Sequence, residues 1–228
     1  MKRRFDILDG WRSLAIVLML AYHFLYDLAL FGVITWEQMF CTPLNVMQKF
    51  ICCSFILLAG ASARFSRSNL RHGLIVLAAG VIVEIGAMVG GQVIRFGVLM
   101  LLGCSMVFWH FVGKHLQKLP GWLLAAGSLV LYFLTNWWTR SVSISVAWLY
   151  PLGFPGPGFS SADYFPLLPW LFLFLAGTAL GGWCLAHPDS RLLAAPLPKA
   201  LTFPGRHSLI IYLLHQPVLY GVSYLIWG

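Results

Sequence analysis

Charged side chains are scarce in this sequence: only 10% of its 228 residues are Asp, Glu, Lys or Arg, whereas 60% are hydrophobic. Soluble domains carry roughly 25% charged residues. The shortage excludes an ordinary soluble domain and indicates a polytopic membrane protein. Acidic residues are fewer than basic ones, with 7 Asp and Glu against 15 Lys and Arg. Because the basic residues are spread over short loops and form no patch, we expect no nucleic-acid partner.

Three other features are missing. The 5 cysteines are odd in number and lack metal-ligand spacing, which argues against a disulfide framework or a zinc site, and no metal is predicted. No small-residue cleavage site follows the first apolar run, so this run is expected to be a transmembrane helix rather than a cleaved signal. No internal repeat supports an inverted-repeat transporter.

What the sequence does contain is a series of seven apolar stretches. A helix needs about 20 residues to cross a hydrocarbon core of about 30 Å. The predicted spans are 6–31, 45–64, 72–90, 93–113, 121–139, 164–185 and 207–227. We therefore predict an all-α integral membrane protein of about seven helices, forming a single domain over residues 1–228.

Basic residues alternate between the predicted loops. They precede the first helix and fall between the second and third, the fourth and fifth, and the sixth and seventh: Lys2, Arg3, Arg4, Arg64, Arg67, Arg71, Lys114, Lys118, Arg191, Lys199 and Arg206. Cytoplasmic loops are enriched in Lys and Arg. This pattern predicts a cytoplasmic N-terminus and a C-terminus outside.

One face of the first helix carries ionisable side chains. Arg12 and His23 are 11 residues apart, which is about 20° around the axis of an α-helix. Asp27 lies four residues beyond His23, and Asp9 lies three residues before Arg12, so all four share a face. Ionisable groups in a bilayer are costly and usually mark function. This stripe is the main functional clue in the sequence.

Further polar residues are expected at similar depth. With the predicted topology, His215 and Gln216 lie at the middle of the last helix, and Glu84, Arg95 and Asp163 lie in the outer half or at the outer surface. We expect these groups to share a cavity that runs from the midplane to the outer face. The alternative interpretation is structural, because such groups also form buried pairs or helix caps.

This set of residues suits acyl transfer. A histidine such as His23 can take the proton of an attacking hydroxyl or amine. A carboxylate, Asp27 or Asp163, would orient the imidazole, and His215 would help to place the acceptor. On the cytoplasmic side, Arg12 would bind the phosphates of an acyl donor.

Two other functions remain open. Histidine and carboxylate chains also form proton relays, so a proton-coupled small-molecule transporter is one alternative. A non-catalytic membrane subunit, in which polar groups only pair helices, is the other. The Arg12-to-His23 face favours the enzyme, and the absence of a repeat disfavours the transporter.

Five motifs in chain order resemble one known family. They are Leu8–His23, Ser54–Gly60, Ile94–Gly103, Asp163–Trp170 and Gly205–Pro217. The first resembles the opening of integral-membrane acyltransferases, which carry an Arg and a His in their first helix. Together the motifs look like the bacterial branch of the heparan-alpha-glucosaminide N-acetyltransferase catalytic-domain family.

The resemblance implies transfer of an acetyl group, or another short acyl group, from cytoplasmic acetyl-CoA to a sugar amine or hydroxyl across a bacterial inner membrane. By position, the family motifs fall on Asp9, Arg12, His23, Arg95, Asp163 and His215. The expected catalytic residues are His23, Asp27, Asp163 and His215; the expected donor site is Arg12, Asp9 and Arg206; the expected acceptor site is Arg95, Glu84 and Gln216. Expected partners are the acyl-CoA, a sugar or glycan and the lipid bilayer, and a homo-oligomer is left open.

The sequence also departs from the family. Lysosomal members carry a proposed active histidine in the luminal loop after the first helix, whereas residues 28–71 contain no histidine. Either the catalytic role passes to His23 or His215, or the mechanism differs, or acetyl transfer is not conserved in this branch of the family.

Overall fold

The structure is a computed structural model that describes residues 5–142, 144 and 146–228. Its helices in chain order are α1 (Asp6–Leu30), α2 (Trp36–Met39), α3 (Thr42–Phe65), α4 (Asn69–Val89), α5 (Val98–Leu116), α6 (Gly121–Ser141), a 3₁₀ helix (Ala147–Leu152), α7 (Leu167–Ala186), α8 (Arg191–Ala194), α9 (Lys199–Arg206) and α10 (Ser208–Trp227). The prediction of an all-α membrane protein is confirmed. The basic residues Lys2, Arg3 and Arg4, used for the predicted orientation, lie outside the described residues.

Six helices of the described part are long and apolar enough to cross a membrane: α1, α3, α4, α5, α7 and α10. The seventh predicted span, 121–139, is also a helix, α6, but it is not among these six. Its last turns include Asn136, Thr139 and Arg140, which lower its apolar character. The count of seven crossings therefore stays a prediction.

The helix ends differ from the predicted ones where local polar contacts replace helical hydrogen bonds. The fourth long helix begins at Val98 rather than at residue 93, because side-chain carboxylates accept the backbone N–H groups at its start. Helix α1 ends at Leu30 in a Schellman motif, in which Gly32 adopts a positive φ of 73° and Val33 N–H donates to Leu28 O. The short helices α2, α8 and α9 were not expected.

The helices group into two compact units, residues 1–55 with 188–228, and residues 56–187. In the first unit, α1 packs against α9 near its start and against α10 further along. Gly205 N–H donates to Ser13 Oγ at 2.8 Å, and the Ser13 hydroxyl donates to Asp9 O at 2.9 Å. A side chain at position 205 would collide with Asp9 O, so only glycine allows this approach.

In the second unit, small residues bring α3 and α7 into backbone contact. A Cβ at Gly177 would meet Leu57 O, and a Cβ at Gly60 would meet Phe174 O. Membrane helices commonly pack in this way, because lipid provides no hydrophobic drive to associate and close van der Waals contact must supply it. These glycines therefore allow close contact between the two helices.

We predict that Gly177→Val destabilises the protein by about 1–3 kcal/mol, because the new side chain must push α3 and α7 apart. Gly127→Val on α6 is the matched control, since a Cβ there meets nothing within 4 Å. Thermal unfolding of the purified variants in detergent measures the difference. Equal melting temperatures for the two variants would contradict the packing argument.

Candidate active site

Helices α1 and α10 bring two histidines together. The imidazole rings of His23 and His215 lie 4.6 Å apart between centroids, at an interplanar angle of 87°. His215 is buried and His23 is partly exposed. These residues are 192 positions apart in the sequence, and the packing of α10 on α1 brings them into contact.

Backbone carbonyls set the tautomer of both rings. His23 Nδ1 lies 2.9 Å from Met19 O, and His215 Nδ1 lies within hydrogen-bond distance of Tyr212 O. Because a carbonyl oxygen only accepts, Nδ1 carries the hydrogen in each neutral ring. The lone pair is then on Nε2, which is the atom that a general base needs.

The group that orients His23 was expected to be a carboxylate, and here it is the Met19 carbonyl one turn earlier on the same helix. Asp27 instead faces α10. It is fully buried, and its Oδ1 accepts a hydrogen bond of 2.7 Å from Gln216 Nε2. Gln216 therefore joins the site through Asp27.

Three buried acceptor atoms of this cluster have no hydrogen-bond partner within the described part of the chain. They are Asp27 Oδ2, Gln216 Oε1 and His215 Nε2. Buried polar atoms are nearly always paired in native proteins, so each such atom requires an explanation. All three can accept a hydrogen bond, and none receives one from the described residues.

A network of ion pairs lies near the start of α1. Arg12 Nη1 is 3.0 Å from Asp9 Oδ1, while Arg206 Nη2 is 2.9 Å from Asp6 Oδ1 and Arg206 Nε is 3.4 Å from Asp9 Oδ2. Arg12 also donates to Gly205 O at 3.4 Å. The network joins α1 to α9 and balances the charges of two arginines with two aspartates. Asp6 and Ser13 were not singled out from the sequence, although they stand three residues before and four residues after Asp9.

The remaining predicted residues lie in the second unit, at the start of α5. Glu84 Oε1 accepts from Phe96 N–H at 2.7 Å and from Gly97 N–H at 3.4 Å, and Asp163 Oδ2 accepts from Val98 N–H at 3.0 Å. Two carboxylates thus occupy a helix N-terminus, where negative charge is favourable. They hold Phe96 at a positive φ of 54°, which a bulky residue rarely adopts.

Arg95 is presented by this strained turn. Its guanidinium carbon lies 5.8 Å from the centre of the Phe159 ring, and the residue is exposed. Its backbone N–H donates to Ser161 Oγ at 2.9 Å. No described carboxylate forms an ion pair with Arg95, so Glu84 supports its backbone turn rather than neutralising its charge.

The family model for the heparan-alpha-glucosaminide N-acetyltransferase catalytic domain matches residues 4–217. The chain belongs to this family. No curated protein and no solved structure matches it. The match includes residues of both units and all three groups of polar residues, and membership in the family indicates a membrane acetyltransferase.

Burial raises the pKa of Asp163 to about 6, against the opposing Val98 hydrogen bond, and the nearby charge of Glu84 raises it further. This carboxyl lies before α7, outside the membrane-spanning helices. Because the pKa of Asp163 is higher in the folded than in the unfolded protein, protonation of this carboxyl stabilises the fold. The stabilisation is fully present below the ordinary pKa of 3.8 and is lost as the pH rises through about 6.

We predict that Asp163→Asn removes a pH dependence of stability between pH 4 and 7. Asparagine keeps an oxygen for Val98 N–H but does not titrate, so the wild type should lose up to about 3 kcal/mol over this range relative to the variant. Melting temperatures in detergent across the range measure this. Asp189→Asn, at an exposed position, is the control. Parallel pH curves for wild type and Asp163→Asn would refute the assignment.

Proposed function

We propose that this membrane acetyltransferase moves an acetyl group, or another short acyl group, from acyl-CoA at the cytoplasmic side to a sugar amine or hydroxyl at the outer side. The observation that carries the proposal is the pair His23 and His215, two imidazoles in contact whose Nδ1 atoms face backbone carbonyls. A bacterial inner membrane is the proposed location.

The proposed step begins when the acceptor's amine or hydroxyl attacks the thioester carbonyl. His23 Nε2 takes the proton of the attacking group as the new C–N or C–O bond forms. The C–S bond then breaks, and the proton passes from His23 to the leaving thiolate. His215 contacts the His23 ring and is proposed to position the acceptor. Gln216, which is held by its hydrogen bond to Asp27, is proposed to help position the acceptor too.

We propose that the donor's phosphates bind near Arg12, Asp9 and Arg206. Arg12 and His23 lie on one face of α1, about 16 Å apart along the axis. An acyl-CoA likewise separates its phosphates from its thioester by a long flexible arm. Because both arginines are ion-paired to Asp6 and Asp9, binding would require phosphate oxygens to compete with these carboxylates.

In the second unit, Arg95 is proposed to contact the acceptor, since its cation is exposed and unpaired among the described residues. Glu84 is proposed to act through the turn that presents Arg95. Asp163, like Asp27, remains a proposed catalytic carboxylate. Its hydrogen bond from Val98 N–H also supports a role in holding the turn that presents Arg95.

We also infer seven membrane crossings. Contacts between α1 and the α9–α10 segment advance together along both, from Ser13 with Gly205, through His23 with His215, to Phe31 with Tyr220. The first and last spans therefore run in the same direction. Successive membrane crossings of one chain alternate in direction. With six crossings, the first and the last would therefore be antiparallel. With seven crossings, which include α6, the first and the last are parallel.

Purified protein should bind acetyl-CoA saturably and use it with a suitable sugar amine. We predict that His23→Ala lowers acetyl transfer by about 10²–10⁴-fold, the range for loss of a general base, while acetyl-CoA binding persists. Arg12→Ala should weaken that binding instead. Calorimetric binding and a radiolabelled acetyl assay separate the two effects.

His110→Ala, at an exposed position on α5, is the matched control and should behave as wild type. Full transfer by His23→Ala would sink the catalytic assignment. Absence of acetyl-CoA binding to the wild type, together with pH-gradient-driven uptake in vesicles, would favour the proton-coupled transporter.

Cysteine labelling tests the seven crossings. In a background without native cysteines, Lys118→Cys precedes α6 and Ser160→Cys follows it, and both positions are exposed. We predict that an impermeant maleimide labels Ser160→Cys on intact cells and labels Lys118→Cys only after permeabilisation. Labelling of both from the same side would mean that α6 does not cross.

A further inference from the structure

The cluster around Asp27 lacks hydrogen-bond donors. Asp27 Oδ1 receives the amide N–H of Gln216, but Asp27 Oδ2, Gln216 Oε1 and His215 Nε2 receive nothing from the described residues. Gln216 bonds to Asp27, and His215, which precedes Gln216 on α10, contacts His23, one turn before Asp27 on α1. In a membrane interior, leaving a polar atom unpaired is costly, because no water is present to form a hydrogen bond with it.

A carboxylate at this position would also lack a counter-ion. Titratable groups near Asp27 include Tyr26, the preceding residue, and His23, one turn earlier on α1; His23 in turn contacts His215 on α10. No described Lys or Arg forms an ion pair with it. Both histidines hold their Nδ1 hydrogen on a backbone carbonyl, so neither directs that hydrogen at Asp27. Isolated buried charges are far more costly than neutral polar groups.

We propose that Asp27 carries a proton and acts as a neutral hydrogen-bond donor to one of the two other unpaired acceptors of the cluster. The added O–H converts one acceptor, Oδ2, into a donor and gives Gln216 Oε1 or His215 Nε2 the partner that it lacks. A single proton on Asp27 thus neutralises the uncompensated charge and supplies one of the hydrogen-bond donors that the cluster lacks.

A neutral Asp27 has a consequence for His23, which lies one helical turn away. A carboxylate there would stabilise the imidazolium form and occupy the base with a proton before the substrate arrives. A carboxylic acid does not. Asp27 is therefore a positioning residue: it holds α10 through Gln216 and leaves His23 neutral.

Infrared spectroscopy of protein labelled with ¹³C at the aspartate side-chain carboxyl tests the proposal without any substrate. The carbonyl stretch of a carboxylic acid is separate from the bands of carboxylates. At pH 8, Asp163, with a pKa of about 6, is ionised. The wild type should then show one isotope-sensitive acid band, and Asp27→Asn should lose it completely.

Asp163→Asn and Asp189→Asn are the controls and should retain the band at pH 8. If Asp27→Asn does not fold, the same band is assigned by elimination, since Asp6 and Asp9 are the only other aspartates and each can be replaced in turn. No acid band in the wild type at pH 8, or a band that persists in Asp27→Asn, would overturn the proposal. Neither result depends on acetyl transfer.

Discussion

The structure depends on the cost of leaving polar atoms unpaired in hydrocarbon. Helix α1 carries three carboxylates, an arginine and a histidine, and nearly all of them find partners on α1 itself or on the last two helices. Arg12 and Asp9 pair near the start of α1, whereas Asp27 pairs with Gln216 near its end. These contacts tie the first and last parts of the chain into one unit.

Two further contacts hold the α9–α10 segment against α1. Gly205 meets Ser13, and ten residues further along both segments His215 meets His23. Gly205 lies on α9 and His215 on α10, and the non-helical residue His207 separates these two helices. The two contacts therefore hold two successive helices against the same helix α1.

Much of the fold could be predicted from the sequence, because apolar length and the 3.6-residue period report directly on membrane helices. The face shared by Arg12 and His23 could be predicted for the same reason. The hydrogen-bond partners of the polar side chains could not be predicted. Nothing in the spacing indicates that Met19 O orients His23, that Ser13 meets Gly205, or that Glu84 turns to Phe96 N–H. Such partners arise from tertiary contacts, about which local periodicity gives no information.

The contrast between the two ends of α1 bears on what each can bind. Near the start, every arginine charge already has a carboxylate, so an anionic ligand gains only by exchanging one partner for another. At the histidine pair, acceptors outnumber donors, so a ligand rich in N–H or O–H groups gains hydrogen bonds without displacing any. A sugar amine or hydroxyl has such groups and a thioester has none. Under the proposed function, the histidine end of α1 would take the acceptor, and shape together with the donor's distant phosphates would hold the thioester there.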